Sequence, residues 1–288
     1  MSEPMSMPSG RLVRAFTGGR AVRLLVVEAH GPARKAAMSH GLGPGASQLA
    51  SEGVVATALL SSHIKGEERI TLQVQGEAPR FAFIGEVDAE GFLRARLTPA
   101  DAHTPDSQIS GMMLVIKADA QREVYRGVTA VSDTSIEAAL AQHLVTSSQV
   151  DAILRLGAAV DADGVIEYAG GFIVERLPED PRYPSMTPEQ FHATYGPLLE
   201  ADLQDVLTGI AFGKLAGSDV EVLESRAITW RCRCSPEKVE TMLGSLGVEE
   251  LRAMQAEGGA EVSCHFCNEV YRVSVERLEQ LAMLYLDN

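Results

Sequence analysis

The sequence predicts an α+β protein: a large N-terminal domain of β-meander strands with long helices, a helical linker, and a small C-terminal module built on four cysteines. Three observations carry this reading. Between residues 11 and 177, short β-type runs stand in meander order with longer helical runs segregated from them, rather than in repeated strand–helix–strand units. Pro178, Pro181, Pro184 and Pro188 then fall within eleven residues, which no regular element tolerates. All four cysteines lie in the last fifth of the chain, as Cys232-Arg-Cys234 and Cys264-His-Phe-Cys267.

Taken in order, Val22 to Val27 is a strand rich in β-branched residues. Residues 45–63 have the apolar spacing of a mostly buried helix, with Leu49, Val54, Val55, Ala58 and Leu59, entered from the loop Gly41-Leu-Gly-Pro-Gly45. That loop lacks the Gly-Lys-Ser/Thr of a phosphate cradle and reads as a helix start. Ile70 to Gln75 alternates apolar and polar residues, as Phe81 to Val87 does less cleanly, and Asp88-Ala-Glu-Gly91 is a hairpin turn into Phe92 to Leu97. Met112 to Lys117 and Val128 to Val131 are further strands. Residues 136–156 read as one helix with Leu140, Leu144 and Val145 on a shared face.

Beyond the prolines, residues 189–214 resume a helical pattern. Leu199, Leu203, Val206, Leu207 and Ile210 form an apolar stripe, with Glu200, Asp202 and Asp205 on the other face. In a resting structure the stripe packs on the main body, yet flanking prolines and high charge mark the segment for low local stability. The expected divisions are a disordered lead over residues 1–10, an α+β domain over 11–177, a metastable linker over 178–229 and a cysteine module over 230–288.

Net charge is −14, from 39 acidic and 25 basic residues, which argues against a general nucleic-acid binder. The acidity is uneven: residues 161–224 hold 13 acidic residues against Arg176, Arg182 and Lys214. No apolar run approaches the roughly 18 residues of a membrane helix. The N-terminal residues lack the basic flank and apolar core of a secretory signal, so a cytoplasmic, reducing location is expected. The seven histidines are scattered without a His-Glu-x-x-His pair. Ser62-His-Ile-Lys65 matches a Ser-x-x-Lys motif with no accompanying Lys-Thr-Gly. No active site is legible, and the chain reads as a non-enzyme.

Two close cysteine pairs separated by a short folded stretch have the spacing of a tetrahedral four-thiolate zinc site. Ser235 is placed as an N-cap and Pro236 as the first residue of a helix just after Cys234. Residues 246–251 begin a second short helix, ended by Gly258-Gly259. Residues 262–273 form a hairpin with the second cysteine pair as its knuckle, where His265 faces solvent. Ser274 caps a last helix carrying Leu278, Leu281 and Leu284. A module of about 57 residues builds little core, and structural zinc supplies what is missing. From spacing alone, a static zinc ribbon stands open beside a switch. A disulfide across Cys232-x-Cys234 would be a tight, easily reversed ring, which suits switching. A thioredoxin-type reading of Cys264-x-x-Cys267 is weak, because a β-favouring segment follows it instead of a helix.

The string Trp230-Arg-Cys-Arg-Cys-Ser235, then Leu246-Gly-Val-Glu-Glu-Leu251, then Cys264-His-Phe-Cys-Asn-Glu-Val-Tyr271, resembles the heat-shock protein 33 family of redox-regulated chaperones. Leu72-Gln-Val-Gln-Gly76, Tyr125-Arg-Gly-Val128 and Ala169-Gly-Gly-Phe172 look like family landmarks, so the resemblance covers nearly the whole chain. In one departure, Ser147-Ser148-Gln149 stands where the family shows Ser-Glu-Gln. The resemblance implies an ATP-independent holdase, inactive while one Zn2+ sits on Cys232, Cys234, Cys264 and Cys267. Oxidation would form Cys232–Cys234 and Cys264–Cys267 disulfides, expel zinc and unfold the linker. The activated chain would form a homodimer and bind unfolding clients, with Leu199, Leu203, Val206, Leu207 and Ile210 as candidate contacts. A constitutive zinc-ribbon adaptor and a thiol oxidoreductase are the alternatives.

Overall fold

The computed structural model describes residues 9–286 except 79, 103–107, 147–148, 150, 212 and 216–217. Most of the expected lead and the Ser147-Ser148 departure therefore lie outside the described residues. The chain divides into two compact units, Met1–Arg231 and Cys232–Asn288.

The first unit is organised by one ten-stranded sheet. Its strands are β1 (Ser9–Thr17), β2 (Val22–Glu28), β3 (Arg69–Ala78), β4 (Arg80–Asp88), β5 (Phe92–Thr98), β6 (Ile109–Ala118), β7 (Glu123–Thr134), β8 (Ala152–Val160), β9 (Ile166–Arg176) and, after the short β10 (Lys214–Leu215) and β11 (Ser218–Asp219) pair, β12 (Glu221–Trp230). The spatial order is β7-β6-β3-β4-β5-β12-β1-β2-β9-β8. Three runs therefore form an antiparallel meander, β3-β4-β5, and β12 enters from far along the chain to sit between β5 and β1.

The helices of this unit are α1 (His30–His40), α2 (Pro44–Leu60), α3 (Ile136–Thr146), α4 (Pro188–Tyr195) and α5 (Leu203–Ala211). Gly41 ends α1 in the left-handed region (φ 58) and Gly43 precedes Pro44 at the start of α2, so the glycine-rich loop is the helix start expected of it. Leu49, Val54, Val55, Ala58 and Leu59 of α2 are all buried. At Gly53 an added Cβ would lie 2.6 Å from the ring of buried Phe83, so only glycine lets α2 approach β4 this closely.

The expected helix over residues 136–156 is half right. Helix α3 stops at Thr146, and Ala152 begins strand β8, because Ala152 to Leu156 pairs antiparallel with Glu175 to Gly171 of β9, through Ile153↔Val174 and Leu154↔Ile173. Tertiary pairing overrides helical spacing there. Leu140 and Leu144 are buried, but Val145 is 54% exposed and shares no core face with them.

Strand β2 explains why the sheet is covered twice. Val22, Leu24 and Val26 join a cluster with Val13, Ala15, Phe172, Val174 and the side chains of α4 and α5. The alternate residues Leu25 and Val27 are equally buried and face the other way, toward the side where Gly171 meets Val55 of α2. A strand buried on both faces reads as a continuous apolar run, which Val22 to Val27 is.

Helices α4 and α5 thus pack on the sheet. Pro188 opens α4 behind a capping box between Thr187 and Gln190, so the last proline starts a helix instead of breaking one. Phe191, Tyr195, Leu198, Leu203, Val206, Leu207 and Ile210 are buried in the shared cluster. Leu199, placed in that stripe by spacing, is 43% exposed, because a 3-10 turn over Gly196–Leu199 interrupts the helical register. Polar pins add to the packing: Asp151 accepts from Arg176 and contacts His192 of α4 at 3.0 Å each, and Arg155 donates to the Ala201 carbonyl at 2.5 Å. The segment is helical to Ala211, as expected, but then turns into strand and ends as β12.

A buried charge sits at the α2 face. Glu175 is fully buried and binds Arg23 at 2.5 Å and His63 at 2.9 Å. Burial raises this carboxyl, but His63 and Arg23 outweigh it and hold it below the usual carboxylate range. The lowered folded pKa means the pair stabilises at neutral pH and loses that contribution as pH falls through the lowered value. Glu175→Ala should destabilise the chain by about 3–5 kcal/mol, because it strands the Arg23 charge. Urea unfolding at neutral pH checks the size, and the variant's stability should fall less steeply than the parent's on acidification.

Candidate metal centre

The second unit carries α6 (Pro236–Gly244), α7 (Val248–Ala256), the hairpin β13 (Ala260–Ser263) and β14 (Val270–Val273), and α8 (Val275–Leu286). Its core is small: Val239, Leu243, Leu251, Val273, Leu278, Leu281 and Ala282 are buried together. Leu284, expected on that face, is 63% exposed. Arg277 adds a forked pair to Glu240 at 2.8 and 2.6 Å between α8 and α6.

Each cysteine pair is set by its local backbone. Strand β12 ends at Trp230, and Cys232 follows two residues on. Ser235 then caps α6 by accepting from the Lys238 amide at 3.3 Å, as its position after Cys234 predicts, while Lys238 Nζ reaches back to the Arg233 carbonyl at 2.6 Å. The second pair lies in the turn of the β13–β14 hairpin. The Cys264 amide donates to the Glu269 carbonyl and the Asn268 amide to the Cys264 carbonyl, both at 2.9 Å, with Asn268 left-handed at φ 55. That closes a tight knuckle with both thiols on its inner side and His265 exposed.

The four sulfurs lie within 4.8 Å of one another, with Cys232 Sγ 3.5 Å from Cys264 Sγ and Cys234 Sγ 3.4 Å from Cys267 Sγ. A tetrahedral zinc with Zn–S near 2.3 Å spaces its sulfurs about 3.8 Å apart, so this cluster fits the ion. The distances are far beyond a disulfide bond of about 2.05 Å, and all four thiols are free.

The surroundings treat the thiols differently. Burial raises the Cys232 thiol, but the Cys234 amide and the neighbouring thiols hydrogen-bond to it and bring it down to about 7. Burial pushes Cys234 and Cys267 up, although the Glu269 amide donates to Cys267. The Tyr271 hydroxyl donates to Cys234 Sγ, which holds the phenol proton and raises its pKa. Tyr271 is the site residue that spacing does not identify. Its signal was its place two residues into the strand after the knuckle, opposite Val262.

A family model described as Hsp33 protein matches residues 10–274. The chain belongs to the Hsp33 family. Among Hsp33 relatives named 33 kDa chaperonin, that of Geobacillus sp. (strain WCH70) is 28% identical, covering 96% of this chain and 98% of its own. That of Symbiobacterium thermophilum is 30% identical over 94% of this chain and 96% of its own. A crystal structure of the 33 kDa chaperonin (heat shock protein 33 homolog) from Thermotoga maritima superposes with a TM-score of 0.81 at 22% identity, covering 96% of this chain and 99% of that one. It shares the α+β fold. Membership of the Hsp33 family supports a chaperone function. Among the described residues, no helix is long and apolar enough to cross a membrane.

The Hsp33 knuckle yields a direct test. Asn268→Gly should leave the module's stability nearly unchanged, whereas Asn268→Val should lower it by about 1–2 kcal/mol, the cost of a branched residue in the left-handed region. Hydrogen exchange of the amides of β13, β14 and α8 would separate the two.

Proposed function

We propose that this protein is a redox-regulated, ATP-independent holdase that is silent while its thiols hold one zinc ion and active once they are oxidised. The observation that carries the reading is the convergence of four free sulfurs within 4.8 Å, beginning directly after a strand of the main sheet. Zinc bound to Cys232, Cys234, Cys264 and Cys267 supplies on the order of 10–16 kcal/mol to folding of the module.

Peroxide withdraws two electrons from each thiol pair. One thiolate attacks a peroxide oxygen, forming a sulfenic acid and releasing water once a proton is added. The second thiol then displaces the sulfenic oxygen as water, leaving a disulfide. In the pairing proposed, Cys232 bonds Cys234 and Cys264 bonds Cys267, and neither sulfur of a disulfide remains a thiolate donor. The module, with its seven-residue core, then unfolds, and the acidic segment over residues 178–229 opens.

Opening uncovers Leu203, Val206, Leu207 and Ile210, which are covered at rest, beside the already exposed Leu199. Those side chains and the sheet face beneath them bind unfolding proteins, while the acidic residues keep the complex dispersed. The active form is a homodimer, acts in the cytoplasm, and needs neither nucleic acid nor membrane.

Reduced protein should carry one zinc per chain, and Cys264→Ser should lower the ratio well below one by elemental analysis. Light scattering from heat-aggregating luciferase gives the functional test. Oxidised protein should suppress it, and reduced protein, or oxidised protein treated with dithiothreitol and zinc, should not. Equal suppression by all three would mean a constitutive binder with a structural zinc site. Hydrogen exchange after oxidation should rise over residues 178–229 before α3.

A further inference from the structure

Strand β12 is the only described strand that joins the two halves of the sheet. It pairs antiparallel with β1 from Ser9↔Thr229 to Phe16↔Glu221, and parallel with the start of β5 through Thr229↔Phe92 and Trp230↔Leu93. The Thr229 amide donates to the Gly91 carbonyl and the Arg231 amide to the Leu93 carbonyl, both at 2.9 Å. In the order of the sheet, β5 and β1 are not neighbours. If β12 withdraws, β1 keeps β2 on one side and presents an unpaired edge on the other.

The side chains of β12 hold it in place at only a few points. Ile228 and Trp230 are buried, and Val222 and Leu223 are 45% and 42% exposed. Much of its attachment is main chain, through a ladder that a register shift at Arg14/Ala15 already interrupts. The remaining ties are polar: Arg226 of β12 itself donates to the Ala89 carbonyl and to the Ser61 carbonyl and hydroxyl, the last two at 3.0 and 2.9 Å, and the others come from arginines outside the strand. Arg11 donates to Ser225 Oγ at 2.9 Å, Arg14 pairs with Glu224 at 2.8 Å, and Arg20 grips Glu221 at 3.0 and 2.5 Å. These arginines belong to β1 and the turn after it, so the edge that β12 covers is basic in a chain of net charge −14.

We propose that the slot vacated by β12 is a strand-acceptor site, in which an extended segment of an unfolding polypeptide pairs with β1. This deepens the holdase reading and rests on it, since β12 must leave on oxidation. An exposed edge is a template for main-chain pairing with whatever chain lies alongside. Strand addition draws its affinity from backbone hydrogen bonds and its selectivity from alternate side chains. A ladder that β12 fills mostly by backbone therefore accepts many sequences. The preference that remains follows β12: carboxylates toward the first residues, facing Arg14 and Arg20, and two apolar residues two positions apart near the end, as Ile228 and Trp230 are. The occupant is a foreign chain in extended form, and exchange of β12 between two copies is the competing outcome.

The test uses the full-length chain, reduced or peroxide-oxidised, and a fluorescein-labelled peptide with the sequence of residues 221–230. The peptide should bind the oxidised protein and not the reduced one. N-methylation of the alternate amides that face β1 should weaken it by about tenfold, and Glu221→Arg with Glu224→Arg in the peptide by several-fold. Hydrogen exchange over residues 9–16 should rise on oxidation and fall again by about tenfold when the peptide or heat-unfolded luciferase is added. The proposal is overturned if those amides stay protected on oxidation, stay open while luciferase is held, or close with rising protein concentration and nothing added. Equal binding of the N-methylated peptide would overturn it too. Oxidised protein that suppresses luciferase aggregation with β1 still open removes this site alone; failure to suppress at all removes the holdase reading with it.

Discussion

The first unit is one sheet because ten residues near its end lie between two half-sheets. The strands β7-β6-β3-β4-β5 form one half and β1-β2-β9-β8 the other, and β12 is hydrogen-bonded to both. The same strand ends at Trp230, two residues before Cys232. The continuity of the largest structural layer therefore depends on a segment whose far end is tied to the thiol cluster. Trp230 and Arg231 are joined to Cys232 by two peptide bonds. Those residues hold the parallel contact with β5, where Arg231 also stacks 4.4 Å from the centre of the Phe92 ring.

What covers the outer face of the smaller half-sheet is built to stay docked yet be removable. The apolar contact is substantial, with aromatic side chains Phe191 and Tyr195 and four aliphatic residues of α5 seated on β1, β2, β8 and β9. Its polar pins are partly exposed ion pairs, each worth at most about 1 kcal/mol. His192 is 56% exposed where it meets Asp151, and Glu221 is 51% exposed where it meets Arg20. Burial holds the cover down, with a hydrogen bond between buried Tyr195 and Thr17 beneath it. By contrast, the face under α2 carries Glu175 with no exposure at all, tied on both sides. One side of the sheet is fastened and the other is closed.

Legibility in the sequence follows the range of the forces involved. The meander β3-β4-β5, helix α2 and every cap of the C-terminal module were readable because turn residues, caps and side-chain periods are local. The thiol cluster was readable because its two halves are each a short turn, and the spacing between them is that of a small folded insert. Strand β8 was misread as helix because Ala152 to Leu156 is apolar without a period, and only its pairing with β9 decides. Strand β12 was hidden for a related reason: burying just Ile228 and Trp230, it has no apolar alternation along most of its length. Leu199 and Leu284 fit a helical face by count, but a 3-10 turn displaces the first and solvent lies against the second.

The two units place their stability differently, and that difference makes a switch physically reasonable. The larger one buries residues on both faces of its sheet. The smaller one has seven buried residues and one cluster of thiols, so a metal worth on the order of 10 kcal/mol exceeds what such a core supplies on its own. Ligation and folding are then the same equilibrium in the small unit. The first cysteine of that unit, Cys232, follows β12 in the chain. A chaperone needs an apolar and hydrogen-bonding surface that is absent at rest and broad when present. In this fold an apolar surface of that kind, formed by β1, β2, β8 and β9, lies beneath α4 and α5.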